Sequence, residues 1–352
     1  MIPRMRRDPR TLVFVVISVT LVAASVGYAV WRRSQAVPPA AITREQPAAE
    51  GVSPARLETQ PHVLFRNSDL GTEHGRVVVA AADQPDDERQ VTPLACERVH
   101  FAGDRGVCLV AERGLTTTYR AVTVGPDFKA VHQLPLPGIP SRVRVSPSGH
   151  FAGITVFVSG DSYAAGNFST RALVLDTTSG EVLGDLEQYA VTREGAAFKA
   201  IDFNFWGITF ADDRRFYATL QTGGRRYLVE GDVTTRTAKV VGEDVECPAL
   251  SPDATRLAYK KREIVDGRLV WRVAVRELAT GQITVLSETR SVDDQPEWLD
   301  DRRVLYGLPT ESRPGSAAVW VAAADGSGQP TLFLDSAWSP AVVRPSPGSA
   351  AP

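Results

Sequence analysis

At 352 residues and a net charge of −2, the chain can hold one large domain or two ordinary ones, and it carries no overall field that would recruit nucleic acid. Hydrophobic residues make up 43% and charged residues 23%, which is ordinary for a globular protein and excludes a wholly disordered one.

Residues 1–10 form a basic segment containing Arg4, Arg6, Arg7 and Arg10, and 21 uncharged residues follow at 11–31. As a helix that stretch would span about 30 Å, the hydrocarbon thickness of a bilayer. Only Arg32 and Arg33 follow it directly, so the basic excess ahead predicts a cytoplasmic amino terminus and an outward-facing remainder. A cleaved signal peptide would carry a shorter apolar region of roughly 7–15 residues ending at a small-x-small site. The run here is longer and leads into Tyr28, Trp31 and two arginines. We therefore expect an uncleaved signal anchor, single-pass in the cytoplasmic membrane, with the rest of the chain extracytoplasmic. Residues 32–60 are rich in Pro and Ala, including Pro38, Pro39, Pro47 and Pro54, and show no apolar periodicity. They read as a semi-extended linker reaching on the order of 30 Å or more.

From 61 to 344 short β-type runs alternate with turn clusters, without helical periodicity. One pattern recurs, an apolar residue leading into a tight turn and then an alternating strand. It reads FAGDRGVCLVA from Phe101, VSPSGHFAGITV from Val145, FADDRRFYATL from Phe210, LSPDATRLAYK from Leu250 and WLDDRRVLYGL from Trp298. Most of the intervals fall in the range of roughly 40–50 residues that marks a β-propeller blade. Four-strand units are expected at 96–136, 141–189, 206–243, 246–290 and 295–335, with hairpin turns at Gly180, Gly281 and Gly326. Residues 62–94 supply only three strands, and the run 338–344 is left to complete that blade. The expected fold is all-β, a six-bladed propeller closed by a carboxy-terminal strand, which removes exposed sheet edges. Residues 345–352 read as a disordered tail.

The element Ser251-Pro252-Asp253 through Leu257-Ala258-Tyr259, with an imperfect copy at Ser146-Pro147-Ser148, resembles the repeats of TolB-type, WD40-like propellers. Residues 204–210 and 291–295 also look like phrases of membrane-anchored, TolB-like actinobacterial proteins. The resemblance covers most of 62–344 but is structural. It implies a propeller that binds an envelope protein or peptide, and it carries over no catalytic residue.

A hydrolase would need a nucleophile elbow of the G-x-S-x-G type with a later acid and His. No elbow occurs and no His follows His150. Gly160-Asp161-Ser162 has the letters of an esterase motif without its α/β context. The five histidines lack ligand spacing, and Asp83, Asp86, Asp87 and Glu88 lack the Gly-punctuated order of a calcium loop. No cofactor or metal is expected, and that acidic stretch reads as a solvated loop. Cys96 and Cys108 flank the first two strands of the second blade. In an oxidising compartment they are a candidate disulfide, although a turn centred near Asp104 would put Cys108 opposite His100, with Cys96 beyond. Cys247 reads as a buried thiol.

Innermost strands of a propeller run parallel around its axis, so the loops entering them converge on one face. Those loops hold Arg142, Asp202, Asn204, Trp206, Glu246, Asp293, Asp294, Gln295, Glu297 and Trp338. An acid-rich funnel with Trp and amide groups could take a ligand or peptide. The same residues could equally bond blade to blade and fill the axis. A protein- or peptide-binding, non-enzymatic module is the first functional expectation. A ligand-binding, hydrolytic or lyase propeller using the acids, with or without a divalent cation, is the second.

Overall fold

The computed structural model describes residues 16–28, 60–86, 89–158 and 169–345. The expectations for residues 1–10, for nearly all of the linker, for 346–352, for Gly160-Asp161-Ser162 and for Asp87 and Glu88 fall outside that set. Residues 16–28 form a helix, with Val16, Val19, Leu21 and Val22 exposed. Among the described residues no helix is long and apolar enough to cross a membrane. Residues 11–15 and 29–31 of the expected anchor lie outside the described ones.

The described residues from 60 onward form an all-β, six-bladed propeller. The first sheet contains β1 (His62–Asn67), β2 (Arg76–Ala81) and β3 (Arg89–Ala95). The second contains β4 (Arg98–Ala102), β5 (Arg105–Arg113), β6 (Thr117–Val124) and β7 (Ala130–Leu136). The third contains β8 (Ile139–Val145), β9 (Phe151–Val158), β10 (Ser169–Asp176) and β11 (Val182–Asp185). A hairpin of β12 (Ala190–Arg193) and β13 (Ala196–Phe198) precedes the fourth set, β14 (Asn204–Phe210), β15 (Arg215–Thr222), β16 (Arg225–Asp232) and β17 (Thr237–Glu243). The fifth sheet has β18 (Glu246–Leu250), β19 (Arg256–Val265), β20 (Arg268–Glu277) and β21 (Ile283–Val285). The sixth has β22 (Glu297–Asp300), β23 (Arg303–Pro309), β24 (Ala317–Ala323) and β25 (Thr331–Leu334). Finally β26 (Ala337–Val343) pairs antiparallel with β1, giving the order β26-β1-β2-β3.

The extra hairpin was not expected. β12 adds in parallel to the outer edge of β17, making a six-stranded sheet. Glu194 and Gly195 both have positive φ, 53° and 79°, the geometry of a tight two-residue hairpin turn. The hairpin brings Val191 and Phe198 onto the cluster around Phe216 and Tyr227. Strands of four and three residues carry too little alternation to be read from sequence.

The core lies between blades. Val107 and Leu109 of β5 pack with Val143, Val145, Ile154 and Val156 of the next sheet. Ala258 and Val273 of the fifth sheet pack with Trp298, Val304 and Tyr306 of the sixth. Gly231 shows how closely the strands sit, since a Cβ there would come within 2.1 Å of the Phe216 ring.

The charged turns on the lower face latch neighbouring blades. Asp212 Oδ1 accepts the backbone N–H groups of Arg214 and Arg215 at 2.8 and 2.7 Å, shaping its own turn. Asp213 reaches back to the preceding blade, where Ser146 and Ser148 donate their hydroxyls to it. Asp301 of the sixth blade likewise accepts from the backbone N–H of Asp253 at 3.0 Å. Blades three and five therefore supply the Ser-Pro turn, and blades four and six supply the acid that grips it.

Candidate functional site: a cation-rich axis

The innermost strands touch in a ring, β26 to β4, β8, β14, β18 and β22, with β22 returning to β26. Each enters from the upper face, and period-two alternation sends every second side chain toward the axis. Arg98 and His100 alternate in this way on β4, as do Arg142 and Arg144 on β8.

Two carboxylates meet these cations. Arg98 Nη1 donates to Asp294 Oδ1 at 3.2 Å, and the same guanidinium lies 5.1 Å from the Trp338 ring centroid. Arg144 pairs with Glu297 and donates to the Pro296 carbonyl, with both charged groups more than nine-tenths buried. His100 Nδ1 accepts from the backbone N–H of Val145 at 3.1 Å, which leaves the proton on Nε2, 3.6 Å from Glu297 Oε2. Blades two, three and six are thereby tied across the axis. Higher up, Lys260 Nζ lies 2.5 Å from Asp293 Oδ1 and 4.9 Å from the Trp271 ring centroid. Arg142 donates to the carbonyls of Ser141 (2.8 Å) and Asp293 (3.4 Å). Gln295 Nε2 donates to the Pro248 carbonyl at 3.1 Å.

Burial dominates the electrostatics. It brings the Arg98 and Arg144 guanidinium groups down to about 10, with Arg142 adding repulsion in both cases, so both remain cations at neutral pH. Burial, then Arg144 and Arg344, pushes His100 well below its ordinary value. Desolvation is the largest single influence on the Asp293 carboxyl and raises it, but the charge and hydrogen bond of Lys260, with the charges of Arg142 and Arg98, together leave it lowered.

A pH prediction follows from His100. It stays neutral when folded and titrates normally when unfolded, so below about pH 6.5 the unfolded chain binds the additional proton. Stability should therefore fall as pH drops from 6.5 toward 5, by roughly 1.4 kcal/mol per pH unit for this group. Replacing it by His100→Gln should flatten that slope in urea melts. An unchanged slope in the variant would refute the assignment.

The structure gathers Arg142, Asp293, Asp294, Gln295, Glu297 and Trp338 around the axis, and it adds Arg98, His100, Arg144 and Lys260. The other expected residues are engaged elsewhere. Asp202 accepts from the Thr222 hydroxyl and from Gly223 N–H at 2.7 Å, capping the turn between β15 and β16. Asn204 Oδ1 accepts from Thr170 N–H at 2.9 Å, linking blades three and four, and Trp206 is buried. Glu246 pairs with Arg226 at 2.7 Å and faces Arg262 at 3.8 Å. The expected acid-rich funnel is thus corrected to an axis whose carboxylates are each matched by a cation, with guanidinium in excess. The sequence signal for this was the Arg-x-His and Arg-x-Arg alternation at 98–100 and 142–144.

Cys96 and Cys108 form a disulfide, with S–S 2.03 Å and Cα–Cα 5.4 Å. The register differs from the expected one. The turn is Gly103-Asp104, so Cys108 faces Val99 and His100 faces Val107. Glu97 N–H still bonds to the Leu109 carbonyl at 2.7 Å, and Cys96 bends from there to its partner. Cys247 is free and buried, in a positive-φ conformation against Gly207.

No protein-family model and no curated protein matches the chain. Solved structures do. TolB from Acinetobacter baumannii superposes with a TM-score of 0.55 at 16% identity, over 81% of this chain and 66% of that one. In fold the propeller resembles TolB. A nidogen/laminin complex gives a TM-score of 0.50 at 11% identity, over 81% of this chain and 99% of that one. A puromycin-hydrolysing peptidase of Mycobacterium tuberculosis gives 0.48 at 13%, over 78% and 43%. The chain therefore spans just under two thirds of that TolB and less than half of that peptidase. At these identities the TolB-like similarity concerns the fold.

Proposed function

We propose that this chain is a membrane-tethered, extracytoplasmic propeller that binds a protein or peptide partner on its upper face, with β26 closing the ring and residues 11–31 as the anchor. The observation that carries the reading is where exposed aliphatic side chains fall. Leu70, Leu115 and Ile264 stand on hairpins joining the second and third strands of three blades, and Ile201 on a loop entering β14, at 64–102% exposure. All of these connections open on the upper face around the axial cations. Exposed aliphatic side chains distributed over one face in this way suit a macromolecular partner. The nidogen/laminin complex shows that a propeller of related shape can take part in a protein assembly.

Photo-crosslinking side chains placed at Leu115 and Ile264 in intact cells should capture the same protein, and one at Leu332 on the outer edge should not. Capture of nothing, or equal capture from Leu332, would reject the upper face. Fractionation should separately find the full-length chain in membranes with its carboxy terminus open to external protease. A chain recovered only in the soluble fraction would reject the anchor.

A further inference from the structure

We propose that the axis binds one small monovalent anion of the chloride class, held by the guanidinium groups of Arg98, Arg142 and Arg144. Three buried or half-buried guanidiniums face only two buried carboxylates, Asp294 and Glu297. Lys260 and Asp293 balance each other above, leaving one positive charge inside the axis. A buried charge without a counter-charge is costly, and Arg does not lose its proton to relieve it.

The same residues also line a space. A cavity of about 20 Å³ lies among Arg98, His100, Arg142, Arg144, Gln295 and Ser339, with Asp294 on its wall. One water-sized particle needs on the order of 10–15 Å³, so the cavity takes a single small ion and no peptide or sugar. Among the described residues, Nε of Arg144, on a side chain more than nine-tenths buried, has no hydrogen-bond partner, and neither has Nε of Arg142. Asp294 Oδ2 also lacks a donor, but it lies toward Gly307, where an added Cβ would approach it to 2.8 Å. Arg142 additionally lies beside the Cys247 thiol. The proposal is independent of the partner assigned to the upper face, because the cavity is too small to admit one.

The test is thermal melting of the full-length chain in detergent, in potassium chloride, potassium bromide and potassium gluconate at equal ionic strength. Chloride and bromide should raise Tm saturably, by roughly 3 °C or more at saturation, relative to gluconate. Arg142→Gln should remove the halide response, whereas Cys247→Ser should keep it. A crystal grown in bromide should show an anomalous peak within the axial cavity. Equal melting in all three salts, or bromide-grown crystals with no axial peak, would overturn the proposal. Loss of the response in Cys247→Ser would also overturn it and place the balancing charge on the thiol.

Discussion

Replacing Glu297 by Gln is expected to destabilise the propeller by about 3–5 kcal/mol, the cost of leaving a buried charge without its partner. The substitution keeps the shape but removes the charge that Arg144 meets and that His100 approaches, and it exchanges one acceptor oxygen for a donor facing donors. Those three residues come from blades six, three and two, so the loss strikes the centre of the ring. Urea melts would measure it, with Arg120→Gln as a control. Arg120 pairs with Glu112 in a partly exposed position, and such pairs contribute about 1 kcal/mol or less. A double change, Arg144→Met with Glu297→Leu, should recover much of the loss, since apolar replacement of a whole buried pair is often neutral. A cost for Glu297→Gln no larger than that of Arg120→Gln would mean that the axial pair is screened.

The second large effect concerns Cys96 and Cys108. Changing both to Ser should cost about 2–4 kcal/mol, chiefly by releasing a loop constraint on the unfolded chain. The bond joins the segment leaving β3 to β5, so it staples the first blade to the second. Mass spectrometry of the unreduced protein should find one free thiol, Cys247. Three alkylatable thiols under native, oxidising conditions, with unchanged stability in the double variant, would refute it.

Much of the architecture was legible because a blade is built from local hairpins. The alternating runs after Phe101, Val145, Phe210, Leu250 and Trp298 each pair with a neighbour only a few residues away. Local pairing leaves a local signature in turn residues and period-two pattern. The failures are equally physical. The β12–β13 hairpin is stabilised by burying Val191 and Phe198 against the fourth blade, and its own strands are too short to announce themselves. The register at Cys108 differs by one residue from that expected of a turn centred on Asp104, because the turn spans Gly103 and Asp104. In a strand, one residue exchanges the two faces.

The Asp-rich turns show where local reading stops. Asp212 and Asp213 are adjacent and look alike in sequence. Asp212 closes its own turn, whereas Asp213 receives hydroxyls from Ser146 and Ser148 in another blade. Their difference is set by which direction each side chain leaves the turn.

By itself the sequence determined that residues 61–344 are a chain of β-hairpins with a blade-sized repeat, and that an uncharged segment stands ahead of them. Tertiary structure alone decided what the axis is. Arg98 meets Asp294, and Arg144 meets Pro296 and Glu297, across separations of about 150–200 residues. Charge balance belongs to pairs of side chains. A composition with slightly more acid than base can therefore still close around a cation-rich centre once six separate strands each turn their alternate residues inward.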